Sequence, residues 1–302
     1  MREITAKEQL AFAQRDYVMF TLSNATLLAR TSGVVVTCLG LMLAAPPTRA
    51  EVDPALTRHT RGSTATVDHK SFDALLKAHV MPNPDGLNRV DYKAFKAAGH
   101  ASLKGYVANL EKVDVAKLDR PEQFAYWANL YNAKTLDIVL DKYPVKSIKD
   151  ISLGGGLLAA VTGGPWKAKT MRVMGRDLSL DDIEHGILRP TFKDPRVHYS
   201  VNCASVGCPN LGTEAFTGAK LEAQLDAAAK AFVNSPRGFQ LSAGKVTASS
   251  IYSWFQVDFG ASVAGVLEHA RRHAEPALKQ KLEGITGVAD FAYDWSLNDT
   301  NR

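Results

Sequence analysis

The chain reads as an α+β domain, mostly helical, with a small antiparallel sheet packed on a central buried helix. Three observations predict this. From Asp119 to Lys142 the helical register places Phe124, Trp127, Ala128, Tyr131, Thr135, Ile138 and Val139 on one side, and Leu130, Ala133, Leu136 and Leu140 on the other. A helix apolar nearly all round belongs inside. Residues 171–178, about Gly175, and 239–247, about Ala243-Gly244, read as hairpins. Between these, apolar residues recur at helical spacing in several shorter stretches.

The elements follow in order. Phe72, Leu75, Leu76 and His79 define one face of a helix over 71–80. Asn83-Pro84-Asp85-Gly86 is turn chemistry, and 90–92 is a short strand or a helix entry. Residues 103–110 are helical. The central helix opens with Asp119 as cap, Pro121 in the first turn and Glu122 completing a capping box, and Pro144 stops it. The glycines of Leu153-Gly154-Gly155-Gly156 lack the Gly-Lys-Ser/Thr ending of a phosphate loop. Ser179, with Asp182 three residues on, opens a short helix through Glu184 and His185, closed by Pro190. Val197, Tyr199 and Val201 alternate with His198, Ser200 and Asn202, which predicts a strand. Leu221, Leu225, Ala228 and Phe232 mark another helix. Ser249 or Ser250 caps 251–255, and Val263, Val266, Leu267 and Ala270 mark one more. Trp127, Trp254 and Trp295 are assigned to the core. His79, His100, His269 and His273 have no motif context and are assigned to the surface.

The N-terminus reads as an export signal. Arg30 precedes an apolar run over 33–45, and Thr48-x-Ala50 resembles a small-residue cleavage site. The run is short for a membrane-spanning helix of about 20 residues, so no span is expected once it is cleaved. The mixed first 30 residues point to Met19 as the true start. The domain plan is therefore a signal over 1–50, a polar, Thr-rich, disordered lead-in over 51–67, and one globular domain over 68–302, periplasmic or secreted. Removing residues 1–50 changes the net charge from +5 to 31 basic against 28 acidic residues, or +3. No Lys/Arg run is interleaved with aromatics, so nucleic acid is not an expected partner. Nothing in the chain names another partner.

The reactive groups concentrate in Arg196-Val-His-Tyr-Ser-Val-Asn-Cys-Ala-Ser-Val-Gly-Cys-Pro209. This block, Tyr126-Trp-Ala-Asn-Leu-Tyr-Asn-Ala133 and Ser179-Leu-Asp-Asp-Ile-Glu-His185 are similar to signature blocks of the uncharacterised family called domain of unknown function 547. Residues 250–260 and 293–298 extend the resemblance, which spans roughly 70–300 in the family's order. The family has no established activity to carry over, so the chemistry rests on the residues.

Three readings compete. In the first, Cys203 is the nucleophile of a hydrolase or acyl-transferase, with His198 or His185 as base, oriented by Glu184 or an asparagine. Strand pleating would turn His198 and Asn202 to one face and Cys203 to the other, which makes His185 an equally good partner. In the second, His198, Cys203 and Cys208 bind zinc with His185 or Glu184. Their spacing fits no short zinc pattern and an exported dithiol is usually oxidised, so neither metal nor cofactor is expected. In the third, Cys203 and Cys208 form a disulfide. Asn129, Asn132, Arg189, Arg196, His198, Asn202 and Asp258 then make a polar network, Asp258 pairing with Arg189 or Arg196. The protein is in that case a periplasmic binding or interaction module, and this is the preferred reading.

Overall fold

The computed structural model describes residues 53–153 and 164–301. The export signal and the glycines at 154–156 lie outside the described residues. We label the helices α1 (Lys70–His79), α2 (Tyr92–Ala98), α3 (His100–Leu110), α4 (Arg120–Lys142), α5 (Leu221–Val233), α6 (Ser250–Trp254), α7 (Val263–His273) and α8 (Pro276–Lys281). The strands are β1 (Val80–Met81), β2 (Arg89–Val90), β3 (Met171–Val173), β4 (Arg176–Leu178), β5 (Phe239–Ser242), β6 (Lys245–Ser249) and β7 (Asp290–Ala292). The architecture is a mostly helical α+β domain, as its sequence predicts.

Helix α4 is the axis. Trp127, Tyr126, Phe124, Ala128, Leu130 and Val139 are essentially inaccessible to solvent. Each large side chain so buried stabilises the fold by about 1.5–3 kcal/mol. Helices α2, α3 and α5 and the segment Asp182–Leu188 all contact α4. Asp119 caps it through the Arg120 N–H at 2.7 Å. Glu122 does not complete a capping box. Its carboxylate instead accepts from Val67 N–H at 2.8 Å and Gly218 N–H at 2.9 Å.

The sheets are small. Hairpins β1–β2 and β3–β4 are antiparallel, while β5–β6–β7 is mixed, because β7 runs parallel to β6. Met171, Val173 and Leu178 of the β3–β4 hairpin share a hydrophobic cluster with α4. The three-stranded sheet packs in a second cluster with Tyr199, Phe232, Tyr252, Phe259 and Val266.

Three local expectations are corrected. The lead-in at 51–67 is not disordered from Asp53 onward: Thr60 N–H bonds the Leu118 carbonyl at 2.9 Å, and its hydroxyl bonds Ala116. Residues Val197–Ser200 form a helical turn, not a strand. The Asp194 carboxylate accepts from the Arg196 N–H at 2.8 Å and Val197 N–H bonds the Asp194 carbonyl, so a local turn outcompetes extended backbone. The histidines assigned to the surface are mostly covered. His79 stacks on Phe95, His100 bonds Asp137 at 2.9 Å, and His269 is buried.

Candidate functional site

The site is assembled from three short pieces of backbone. Asp182–Leu188 is wound as a π-helix and continues as the α-turn Arg189–Phe192. Ser179 and Asp182 cap its start reciprocally, at 2.5–3.1 Å. The wider turn closes through the Arg189 N–H on the Glu184 carbonyl. Glu184, His185 and Arg189 come from this piece, His198 from the turn Val197–Ser200, and Asp258 from the 3₁₀ turn Gln256–Phe259. Single-turn π segments recur at functional positions, where the extra residue re-aims side chains.

One asparagine of α4 holds the second piece, and another holds the chain at Phe216. Asn132 donates to the Ser200 carbonyl at 2.8 Å and accepts from the Asn202 N–H at 2.8 Å. One turn earlier, Asn129 makes the same fork with both backbone groups of Phe216. Each amide thus pairs with extended chain as a strand neighbour would. Asn202 continues the tether, donating to the Pro209 carbonyl and accepting from Ala204 N–H. These asparagines are the architecture under the site, not groups presented by it.

His198 is at the centre, its side chain 2% exposed. Its Nε2 lies 2.7 Å from Asp258 Oδ2 and its Nδ1 3.7 Å from Glu184 Oε1. An ionised carboxylate only accepts, so Nε2 carries the proton. Phe255 stacks on the ring, with centroids 4.4 Å apart. Asp258 also accepts from Arg189 Nε at 2.6 Å, and the Arg189 guanidinium lies over Phe255. His185 Nδ1 stands 3.8 Å from Glu184 Oε1 and accepts from Arg189 Nη1 at 3.3 Å. His185 is the outward member, its side chain 37% exposed.

The electrostatics are those of a closed ionic cluster. Burial alone would raise Glu184, but its neighbours His185, His198 and Arg189 hold its carboxyl at about 2. Burial likewise opposes ionisation of Asp258, and the His198 and Arg189 contacts outweigh it, again giving about 2. Tyr131 on α4 is driven the other way. Burial, then the charges of Glu184 and Asp181, push its phenol well above the ordinary range.

The sulfurs lie against Tyr293. Cys203 and Cys208 are joined as a disulfide. The Tyr293 hydroxyl lies 3.0 Å from Cys203 Sγ, 3.1 Å from Cys208 Sγ and 2.8 Å from Ser205 Oγ. Gly207 is required in this loop, since a Cβ there would stand 2.9 Å from the Tyr293 ring. Arg237 donates to the carbonyls of Val206, Cys208 and Gly86 and to Asn210, which fixes the loop. From Tyr293 the rings continue through Trp254, Trp295 and Trp166, with centroids 4.6–5.7 Å apart.

Five of the candidates, Glu184, His185, Arg189, His198 and Asp258, therefore share one cluster. Arg196 does not join them; it is bound to Asp194, Glu222 and Asp226 at 2.6–2.7 Å. The zinc set is not assembled, because its two sulfurs are bonded to each other. Among the described residues, the compact group with metal-ligand chemistry is His100, Asp137 and Asp141, whose carboxylates already hold Lys104 and Lys134. Sequence reasoning missed Phe255, Tyr293 and the surface role of Trp254, which is 49% exposed and not core. A helix of five residues is too short for its spacing to separate inside from outside.

A family model described as Protein of unknown function, DUF547, matches residues 115–233, which supports membership of that family. The matched stretch runs from just before α4 to the end of α5, and so holds Glu184, Arg189, His198 and both bonded cysteines; Asp258 and the Trp254–Trp295 rings lie beyond it. Comparison with curated proteins finds no match, and neither does comparison with solved structures.

Proposed function

We propose that the protein is an exported binding module, with the Glu184–His198–Asp258 cluster as the rigid floor of its binding face and not a catalytic dyad. One observation carries this reading: the Nε2 of His198 is already spent on Asp258 and its ring is covered. One nitrogen donates to Asp258, the other faces Glu184, and Phe255 covers the ring. Among the described residues no hydroxyl or thiol hydrogen-bonds either His198 or His185, the contact of about 2.6–3.2 Å that a nucleophile and its base require. Cys203 offers no thiolate while it is bonded to Cys208. What faces outward is a hydrogen-bonding imidazole, His185, with Arg189 bonded to it and Phe255 alongside. A polar group beside aromatic rings is a common composition for recognition.

The export half of the proposal rests on the apolar run over 33–45 and the Thr48-x-Ala50 site. The disulfide is consistent with an oxidising compartment. Three measurements test the proposal. Thiol titration of the folded protein should find no free thiol at Cys203 or Cys208 before reduction. Ester hydrolysis, if any is measured, should be indifferent to Cys203→Ser. A free Cys203 thiol together with turnover that Cys203→Ser abolishes would establish the hydrolase instead. Intact mass of the exported chain should begin at Glu51, and retention of residues 1–50 would remove the export half.

A further inference from the structure

A second group of polar side chains, none of them used by the Glu184 cluster, faces a cavity of about 430 Å³. His269 on α7 lines it and is 4% exposed. Its Nε2 lies 2.7 Å from the Tyr199 hydroxyl, which in turn lies 3.1 Å from that of Tyr252. Its Nδ1 has no protein partner among the described residues, yet it is not sealed off from the cavity. A buried imidazole nitrogen left open in this way is normally completed by water or a ligand. Burial, reinforced by the charges of His273 and Arg272, holds the His269 pKa at about 3. The ring is therefore neutral at pH 7, one nitrogen donating and the other accepting.

The remaining lining decides the sign of the ligand. Of the lining cations, Arg196 is bound by Asp194, Asp226 and Glu222, which leaves the donors of Lys193 and Arg272. Both acids are committed to Arg196, Asp194 through three contacts at 2.6–3.1 Å and Asp226 at 2.7 Å. Lys193 has no ion pair among the described residues. Arg272 has one exposed partner, Glu268, at 3.3 Å. The uncommitted hydrogen-bonding capacity of the lining is thus dominated by donors, those of Lys193 and Arg272 above all, and a cavity with surplus donors favours an acceptor-rich anion. We propose that this cavity binds a small oxyanionic ligand, a carboxylate or phosphate compound, held by Lys193, Arg272 and the open edge of His269. Its volume falls in the range of small-molecule sites, about 300–1,000 Å³.

The test is calorimetric titration of the full chain at pH 7 and low ionic strength, with citrate and inorganic phosphate as separate probes. At least one should bind saturably. The double variant Lys193→Gln/Arg272→Gln, with its circular dichroism unchanged, should weaken that binding at least fivefold. His185→Ala should leave it unaltered. No saturable binding by either probe, or weakening of less than fivefold in the double variant, overturns the proposal. So does loss of binding in His185→Ala, because that would place the anion at the Glu184 cluster.

Discussion

Replacing Asp258 by asparagine should remove a stabilisation whose pH dependence identifies its origin. Asp258 accepts from His198 at 2.7 Å and from Arg189 at 2.6 Å, and its carboxyl is held at about 2 against an ordinary value of 3.8. At about 1.4 kcal/mol per pH unit, that difference is worth about 2 kcal/mol. The side chain is 26% exposed, so solvent screening makes this an upper figure, and about 1–2 kcal/mol is expected at neutral pH. The sign follows from the lowered pKa. The stabilisation is fully present above pH ~5, where Asp258 is ionised in the folded and unfolded chains alike. It fades as pH falls through the unfolded value near 4 towards about 2. Urea unfolding of wild type and Asp258→Asn at intervals from pH 7 to pH 3 measures this directly. The two stabilities should differ by about 1–2 kcal/mol at pH 6–7, and roughly half of that difference should remain at pH 3. A difference constant across that range would show that the variant acts through packing or polarity alone, and the ionic account of the cluster would be wrong.

The disulfide makes a second prediction. Cys203→Ser and Cys208→Ser should destabilise alike and by little, about 2 kcal/mol, since a loop with a separation of five residues restricts the unfolded chain weakly. Unequal losses in thermal unfolding would point to a separate role for one sulfur. A third concerns the two forks on α4. Asn132→Ala leaves the Ser200 carbonyl and the Asn202 N–H unpaired, which should cost about 2–4 kcal/mol. It should also release the turn bearing His198, seen as faster amide exchange across 197–202. Asn129→Ala should cost a similar amount without that local signature, and faster exchange there in both variants would deny that Asn132 is the specific tether. Finally, Trp254→Ala should change stability by less than about 1 kcal/mol, because the ring is half exposed. A loss of 3 kcal/mol or more in urea would return Trp254 to the core.

The parts of this molecule legible in its sequence are those whose cause is local. Helix α4 declares itself by apolar residues on every side and by Asp119 and Pro121 at its start. The reciprocal cap of Ser179 and Asp182 is readable in the same way, although nothing in those residues says that the helix they open will be π-wound. The turn at 197–200 was misread because four residues of alternating polarity fit a strand as well as a turn. Asp194-Pro195 was the signal that favoured the turn. His269 was readable too, since it stands three residues after Val266 on the buried face of α7. The lead-in was illegible because its order comes from Leu118, Ala116 and Glu122, about 55 or more residues away in the chain.

The site shows the same division more sharply. Glu184, His185 and Arg189 are neighbours in sequence and their contact is a local matter of helical spacing. The partner that gives His198 its character, Asp258, is 60 residues downstream. Before folding, each carboxylate competes with water for its partner. After folding, Asn132 fixes the backbone at Ser200 and Asn202, Phe255 covers the imidazole, and the ion pairs form with little further loss of freedom. The sequence therefore exposes which groups carry charge, while the fold decides which of them are spent on one another. Here it spends the Nε2 of His198 on Asp258 and leaves His185 and the open nitrogen of His269 without a carboxylate hydrogen bond. Those two imidazoles are the positions at which the proposed ligands would compete.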